Sequence, residues 1–173
     1  MIDLAEIRAA AERIASEAVV TPVVRSDELD ELTGATVFCK DESRQRAGAF
    51  KFRGAFNRLS LIPPADRGRG VVAVSSGNHG AAIACAAHLL GLRATVHVPE
   101  DVPSAKRSLI EQYGAAIVTV PRSTPDREAG ARRQVAETGA TFVHPFDDPV
   151  VMAGQGTAAL ELHEQIGGLD VLL

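Results

Sequence analysis

Tryptophan is absent from the 173 residues, and there is a single tyrosine. Aromatic platforms on which bases could stack are therefore scarce, which argues against a single-stranded nucleic-acid binder. No basic block occurs, and the net charge is -4. Neither nucleic acid nor an anionic membrane surface is an expected partner. No apolar run approaches the roughly 18–20 residues that cross a bilayer. The start, Met1-Ile2-Asp3-Leu4-Ala5-Glu6, lacks the basic stretch and apolar core of a signal peptide. The two cysteines, Cys39 and Cys85, sit in apolar segments, as reduced thiols in a cytoplasmic protein do. The five histidines (79, 88, 97, 144 and 163) show no paired spacing for a metal. A soluble, cytoplasmic protein without metal is expected.

Lysine is also scarce, with only Lys40, Lys51 and Lys106 in the chain. Lys51 stands out because it lies between Phe50 and Phe52 at the start of a helical pattern. Partial desolvation there disfavours the ammonium form, and a neutral amine is what forms a Schiff base with a carbonyl compound. Read locally, Lys51 fits better a helix-start lysine whose stem runs past two core rings.

What is present is a regular alternation. Asp3 with Glu6 predicts a capping box at the head of a first helix to about Glu17. A short helix over Asp27–Leu32 and a strand over Thr36–Cys39 follow, and a helix over Phe52–Leu61. Then come strands at Val71–Val74, Ala94–Val98, Ile117–Val120 and Thr141–Val143, with helices at Asn78–Leu90, Ser104–Tyr113 and Asp126–Thr138 between them. Short apolar strands alternating with helices imply a parallel sheet covered on both faces. A helix from Gly154 to Ile166 and a strand from Asp170 complete the chain, which reads as truncated within a core strand. The expected division is 1–51 as the first part of a large lobe, 52–146 as a small α/β lobe, and 147–173 as an incomplete return to the large lobe.

Between the Val71 strand and its helix lies Ser75-Ser76-Gly77-Asn78-His79-Gly80. A doubly wound fold presents backbone N–H groups and a helix N-terminus to an anion at this place. The hydroxyls of Ser75 and Ser76 and the Asn78 amide add donors, and Gly77 and Gly80 are expected to permit close backbone approach and unusual dihedrals. The string is not GxGxxG, which disfavours a nicotinamide site.

A Schiff-base lysine facing an anion-cradling loop points to pyridoxal phosphate chemistry on amino acids. The chain resembles the N-terminal half of the serine/threonine dehydratases and serine racemases, tryptophan-synthase-β-like pyridoxal phosphate enzymes. The resemblance runs through Thr21-Pro22, Lys40-Asp41-Glu42, Gly48-Ala49-Phe50-Lys51-Phe52-Arg53-Gly54-Ala55, Ser75 to Gly80, Pro145-Phe146-Asp147-Asp148 and Ala153-Gly154-Gln155-Gly156-Thr157. It implies that Lys51 holds the cofactor and abstracts the α-proton, that Phe50 packs beside the ring, and that Asn78 bonds its 3′-oxygen. It implies further that Ser75, Ser76, Gly77, Asn78 and His79 cradle the substrate carboxylate, with Ser76 as the opposite-face acid/base of a racemase. The implied reaction converts L-serine or L-threonine to a 2-oxo acid and ammonia. A racemase and a truncated, non-catalytic remnant are the alternatives. A homo-oligomer is implied at full length. Ala47 and Ala49 stand where the family often has hydroxyls, and the family's main phosphate loop is expected beyond Leu173.

Overall fold

The computed structural model describes residues 2–121 and 128–173. Helix α1 (Leu4–Ile14) begins at the expected capping box, with Asp3 and Glu6 bonded reciprocally. Strands β1 (Val23–Arg25) and β2 (Phe38–Lys40) pair antiparallel around helix α2 (Asp27–Thr33). The second strand lies one to two residues later than the composition predicts, because Val37 is held through its N–H by Asp30 of α2. Two single 3₁₀ turns, Glu42–Arg44 and Arg46–Gly48, lead into α3 (Lys51–Ser60). Ala47 takes a left-handed conformation there, with φ 58°, at a cost of about 1–2 kcal/mol.

After the short α4 (Pro64–Arg67), the alternation is as expected: β3 (Val71–Val74), α5 (Asn78–Leu90), β4 (Ala94–Pro99), α6 (Ser104–Gln112), β5 (Ala116–Val120), α7 (Glu128–Thr138) and β6 (Thr141–Val143). The expected start of α7 at Asp126 lies outside the described residues. All three pairings are parallel, in the order β5-β4-β3-β6. The order reverses at β3, so β3 runs between β4 on one side and β6 on the other. Strand β5 is an edge and stays largely open to solvent, unlike the fully covered strand expected.

Helix α5 lies in the centre, with residues 79–87 all buried. Its alanines allow it to sit close to the sheet on one side and to α3 on the other. Phe52, Leu59, Ile83, Val96, Val98 and Ile110 complete this core and are inaccessible to solvent. Each large apolar side chain so buried contributes about 1.5–3 kcal/mol. A smaller cluster of Val72, Ala131 and Ala140 carries α7 on the other face.

Two expectations fail at the chain's end. Helix α8 runs Pro149–Ile166 and so begins five residues before Gly154. Asp148 caps it through the N–H groups of Val150 and Val151, and Pro149 occupies the first helical position. Residues 170–173 form no strand and are exposed. A strand needs a ladder partner, and no described strand offers one.

The glycine that looked like a helix start serves packing instead. A Cβ on Gly154 would lie 2.6 Å from the Gly54 Cα and 2.7 Å from the Arg53 carbonyl, so α3 and α8 cross almost backbone to backbone. Gly154→Ala is therefore expected to cost about 1–3 kcal/mol, although alanine has the better helix propensity by about 1 kcal/mol. Gly68→Ala, where a Cβ meets nothing within 4 Å, should leave the urea midpoint unchanged or raise it. Equal shifts for the two exchanges would refute the close-crossing explanation.

Candidate active site

Lys51 is the first residue of α3, and the helix has no side-chain cap. Its Nζ donates to the Pro145 carbonyl at 2.9 Å and lies 5.1 Å from the centroid of the Phe50 ring. No carboxylate among the described residues forms an ion pair with it. Burial pushes its pKa below that of a free lysine, as the flanking rings predict. Phe52 is wholly buried beneath it, whereas Phe50 is 39% exposed.

The Ser75–Gly80 loop faces Lys51 from the carboxyl end of β3. Ser75 holds the loop's shape. Its Oγ accepts from the N–H groups of Gly77 (3.0 Å) and Gly80 (2.8 Å), and its own N–H donates to the His97 carbonyl in β4. Those polar groups are committed to the scaffold. Ser76 and Asn78 instead keep exposed side chains. The N–H groups of Asn78 and His79 lie in the first helical turn, where no intrahelical carbonyl is available. Two such N–H groups after a strand–loop are the arrangement in which an anion site is expected. Gly80 serves close packing, not unusual dihedrals: a Cβ would sit 2.9 Å from Val96 Cγ1.

Lys51 and residues 74–79 line one cleft of about 370 Å³ with Pro99, Val120, Pro145 and Phe146. Every one of the four parallel strands contributes the end of its chain or the residues just after it. The cleft therefore opens at the carboxyl edge of the sheet, where such folds place their ligands. Phe50 is not among the lining residues. Pro99, Val120, Pro145 and Phe146 carried no role in the sequence reading. Pro145 and Phe146 lie in a string that carries the family resemblance, and all four share one further signal, a position directly at or after a strand's end.

His79 turns its ring inward. The ring is buried, and Nε2 lies 3.2 Å from the Val143 carbonyl. That oxygen can only accept, so Nε2 carries the proton; Nδ1 has no partner among the described residues. Burial pushes the His79 pKa from 6.5 to about 4, against the Val143 bond and with a smaller push from Lys51 and His144. The unfolded chain therefore takes up a proton near 6.5 that the fold refuses until about 4, and stability falls as pH drops through that window. On this linkage, going from about pH 7.5 to about pH 5 should cost about 2 kcal/mol more in the natural protein than in His79→Gln. Urea unfolding at the two pH values measures it, and equal losses would assign the acid sensitivity elsewhere.

The family model described as pyridoxal-phosphate dependent enzyme matches residues 14–172. This chain belongs to that family. Among its relatives in the pyridoxal-phosphate dependent enzymes is the L-threo-3-hydroxyaspartate ammonia-lyase of Pseudomonas sp. It is 52% identical over 163 residues, which are 94% of this chain and 51% of the relative. The serine racemase of Schizosaccharomyces pombe is 44% identical over 167 residues, 96% of this chain and 52% of the relative. The solved structure of maize serine racemase superposes with a TM-score of 0.93 at 40% identity, covering 97% of this chain and 51% of that one. The chain spans about half the length of the curated relatives it matches.

The cleft suits the family's cofactor. It falls within the usual range for small-ligand sites, roughly 300–1,000 Å³. It also offers a primary amine, without a carboxylate partner among the described residues, opposite free N–H groups. Among the described residues, no cluster of three or more histidines, cysteines or acidic residues is placed to hold a metal ion. No described helix is long and apolar enough to cross a membrane.

Proposed function

We propose that the protein containing this chain deaminates a small β-hydroxy-α-amino acid by loss of water, giving a 2-oxo acid and ammonia. L-Serine and L-threonine are the first candidates. 3-Hydroxyaspartate has the same β-hydroxyl and enters through the name of a 52%-identical relative. The observation that carries this reading is the placement of Lys51, without a counter-ion among the described residues, across one cleft from the N–H groups of the Ser75–Gly80 loop. Pyridoxal phosphate, when bound, supplies the electron sink that makes the substrate's Cα–H bond acidic.

The chain's own residues supply the rest. Lys51 would hold the cofactor at Nζ and, once the incoming substrate amine has displaced it, would take the α-proton there. Asn78 would bond the ring's 3′-oxygen, and Phe50 would pack beside the ring. The N–H groups of Asn78 and His79, with the Ser76 hydroxyl, would orient the substrate carboxylate. Ser75 would keep that cradle in shape. Positioning of this kind lowers the barrier by several kcal/mol, because the reacting groups meet without a further entropy cost.

A racemase is the second reading. The exposed Ser76 hydroxyl on the cleft wall supports it, since a proton returned from that side would invert Cα. Incubation of the chain extended to its relatives' length with pyridoxal phosphate and each L-amino acid decides between them. The first reading expects an absorbance band of a lysine Schiff base and 2-oxo acid as the main product. A band with D-amino acid as the main product would favour the second. No band would refute both.

A further inference from the structure

The His79 ring has no place in the chemistry described so far, yet its burial is costly. An imidazole with one nitrogen unpartnered forfeits about 1–3 kcal/mol, more than one neutral hydrogen bond returns. Its single bond goes from Nε2 at the head of α5 to the Val143 carbonyl at the end of β6, 3.2 Å away. Two residues beyond Val143, the Pro145 carbonyl accepts the Lys51 Nζ at 2.9 Å.

The intervening segment is stiff. Val143 is wholly buried and paired in register with Ala73 of β3. The His144 Nδ1 accepts from the N–H groups of Asp147 (2.7 Å) and Phe146 (3.4 Å), closing a tight turn around Pro145. That leaves the His144 proton on Nε2, which faces Glu128 of α7 at 3.4 Å. Proline itself has a fixed φ. A displacement of the Val143 carbonyl would therefore be passed to the Pro145 carbonyl with little slack.

We propose that His79 is a positioning residue for Lys51: by clipping the head of α5 to the end of β6, it fixes the carbonyl on which the lysine amine rests. The cradle loop and the reactive amine are thereby held in one frame, with the imidazole as the cross-brace. The inference builds on the reading of Lys51 as the reactive amine, but its test needs no turnover.

Brief acetylation of the protein without pyridoxal phosphate by acetic anhydride, followed by mass spectrometry, gives the reactivity of Lys51 relative to Lys106 in the same molecule. His79→Leu removes the donor while keeping an apolar side chain. Loss of the carbonyl acceptor frees the amine and withdraws support from its ammonium form. Lys51 should then react about fivefold faster, the equivalent of one hydrogen bond. His79→Gln, whose side-chain N–H can reach the same carbonyl, should restore the original ratio. A leucine variant within about twofold of the natural protein, or slower, would overturn the proposal. So would a glutamine variant as fast as leucine, because volume and not the hydrogen bond would then be the cause. Should leucine fail to fold, long-range nitrogen NMR on the natural protein decides: an Nε2–H tautomer with coupling to the Val143 carbonyl is required, and an Nδ1–H tautomer refutes the clip. Failure of the Schiff-base band would leave these ratios readable, so the two readings fail separately.

Discussion

Lys51→Ala, in the chain extended to its relatives' length and supplied with pyridoxal phosphate, is expected to show no Schiff-base absorbance and to lose about 10²–10⁴ of its turnover. The loss is large because one amine serves as both covalent anchor and base. Lys51→Arg should fare no better, since a guanidinium stays protonated and cannot form the bond. Lys106→Ala is the control, because that side chain is no part of the cleft. Retention of the band in Lys51→Ala with its loss in Lys106→Ala would move the anchor and sink the assignment.

Arg53→Ala should cost about 3–5 kcal/mol of stability, although Arg53 touches no part of the cleft. The guanidinium is 1% exposed and sits between two carboxylates. It donates to Glu42 through Nε (2.9 Å) and Nη2 (2.7 Å), and to Glu161 through Nη1 and Nη2 (both 3.1 Å). Lys40 pairs with Glu161 as well, and Thr21 donates to Glu42 through its hydroxyl. The network ties the N-terminal segment, the 42–44 turn and α8 to α3. Burial alone would disfavour the charge on Arg53, but the bonds to Glu42 and Glu161 outweigh it and hold the guanidinium charged. Removing the arginine leaves two carboxylates with burial and too little compensation. Arg53→Lys should recover only part, because an ammonium cannot serve two carboxylates in bidentate fashion. Guanidinium denaturation checks the order natural, Lys, Ala; an alanine variant within about 1 kcal/mol of the natural protein would show the network to be energetically idle.

The same network sets an acid limit. Burial raises the Glu161 pKa, but the bonds from Arg53 and Lys40 more than reverse this, and the net shift is downward. A carboxylate with a lowered folded pKa contributes stability above its unfolded value near 4.5. That contribution disappears as pH falls through the lowered folded value. It adds to the His79 loss, which begins higher, near 6.5.

Much of the fold was legible in the chain because it is written at short range. Val71–Val74 is apolar throughout and flanked by Gly70 and Ser75. Asn78–Leu90 is Ala-rich from Ala81 onward and stopped by Gly91, and the observed bounds agree. The capping box at Asp3 involves residues three apart. What could not be read was set by partners far along the chain. Gly154 looks like a helix start until Gly54, a hundred residues earlier, is placed against it. The last four residues have a strand's composition, but composition supplies no ladder partner.

The candidate site divides along the same line. Lys51 between two rings, and a Ser/Gly/Asn loop between strand and helix, are local patterns; the sequence by itself determined the parallel α/β fold and pointed to an amine and an anion cradle as its candidate site. That they share one cleft depends on all four strands running parallel, which brings their carboxyl ends to a single edge, and on the order reversing at β3, which opens the crevice there. The Lys51–Pro145, His79–Val143 and Arg53–Glu161 contacts span separations of 94, 64 and 108 residues. Only the tertiary structure decided these, because a hydrogen bond depends on where its groups meet in space, and periodicity along a chain carries no record of that.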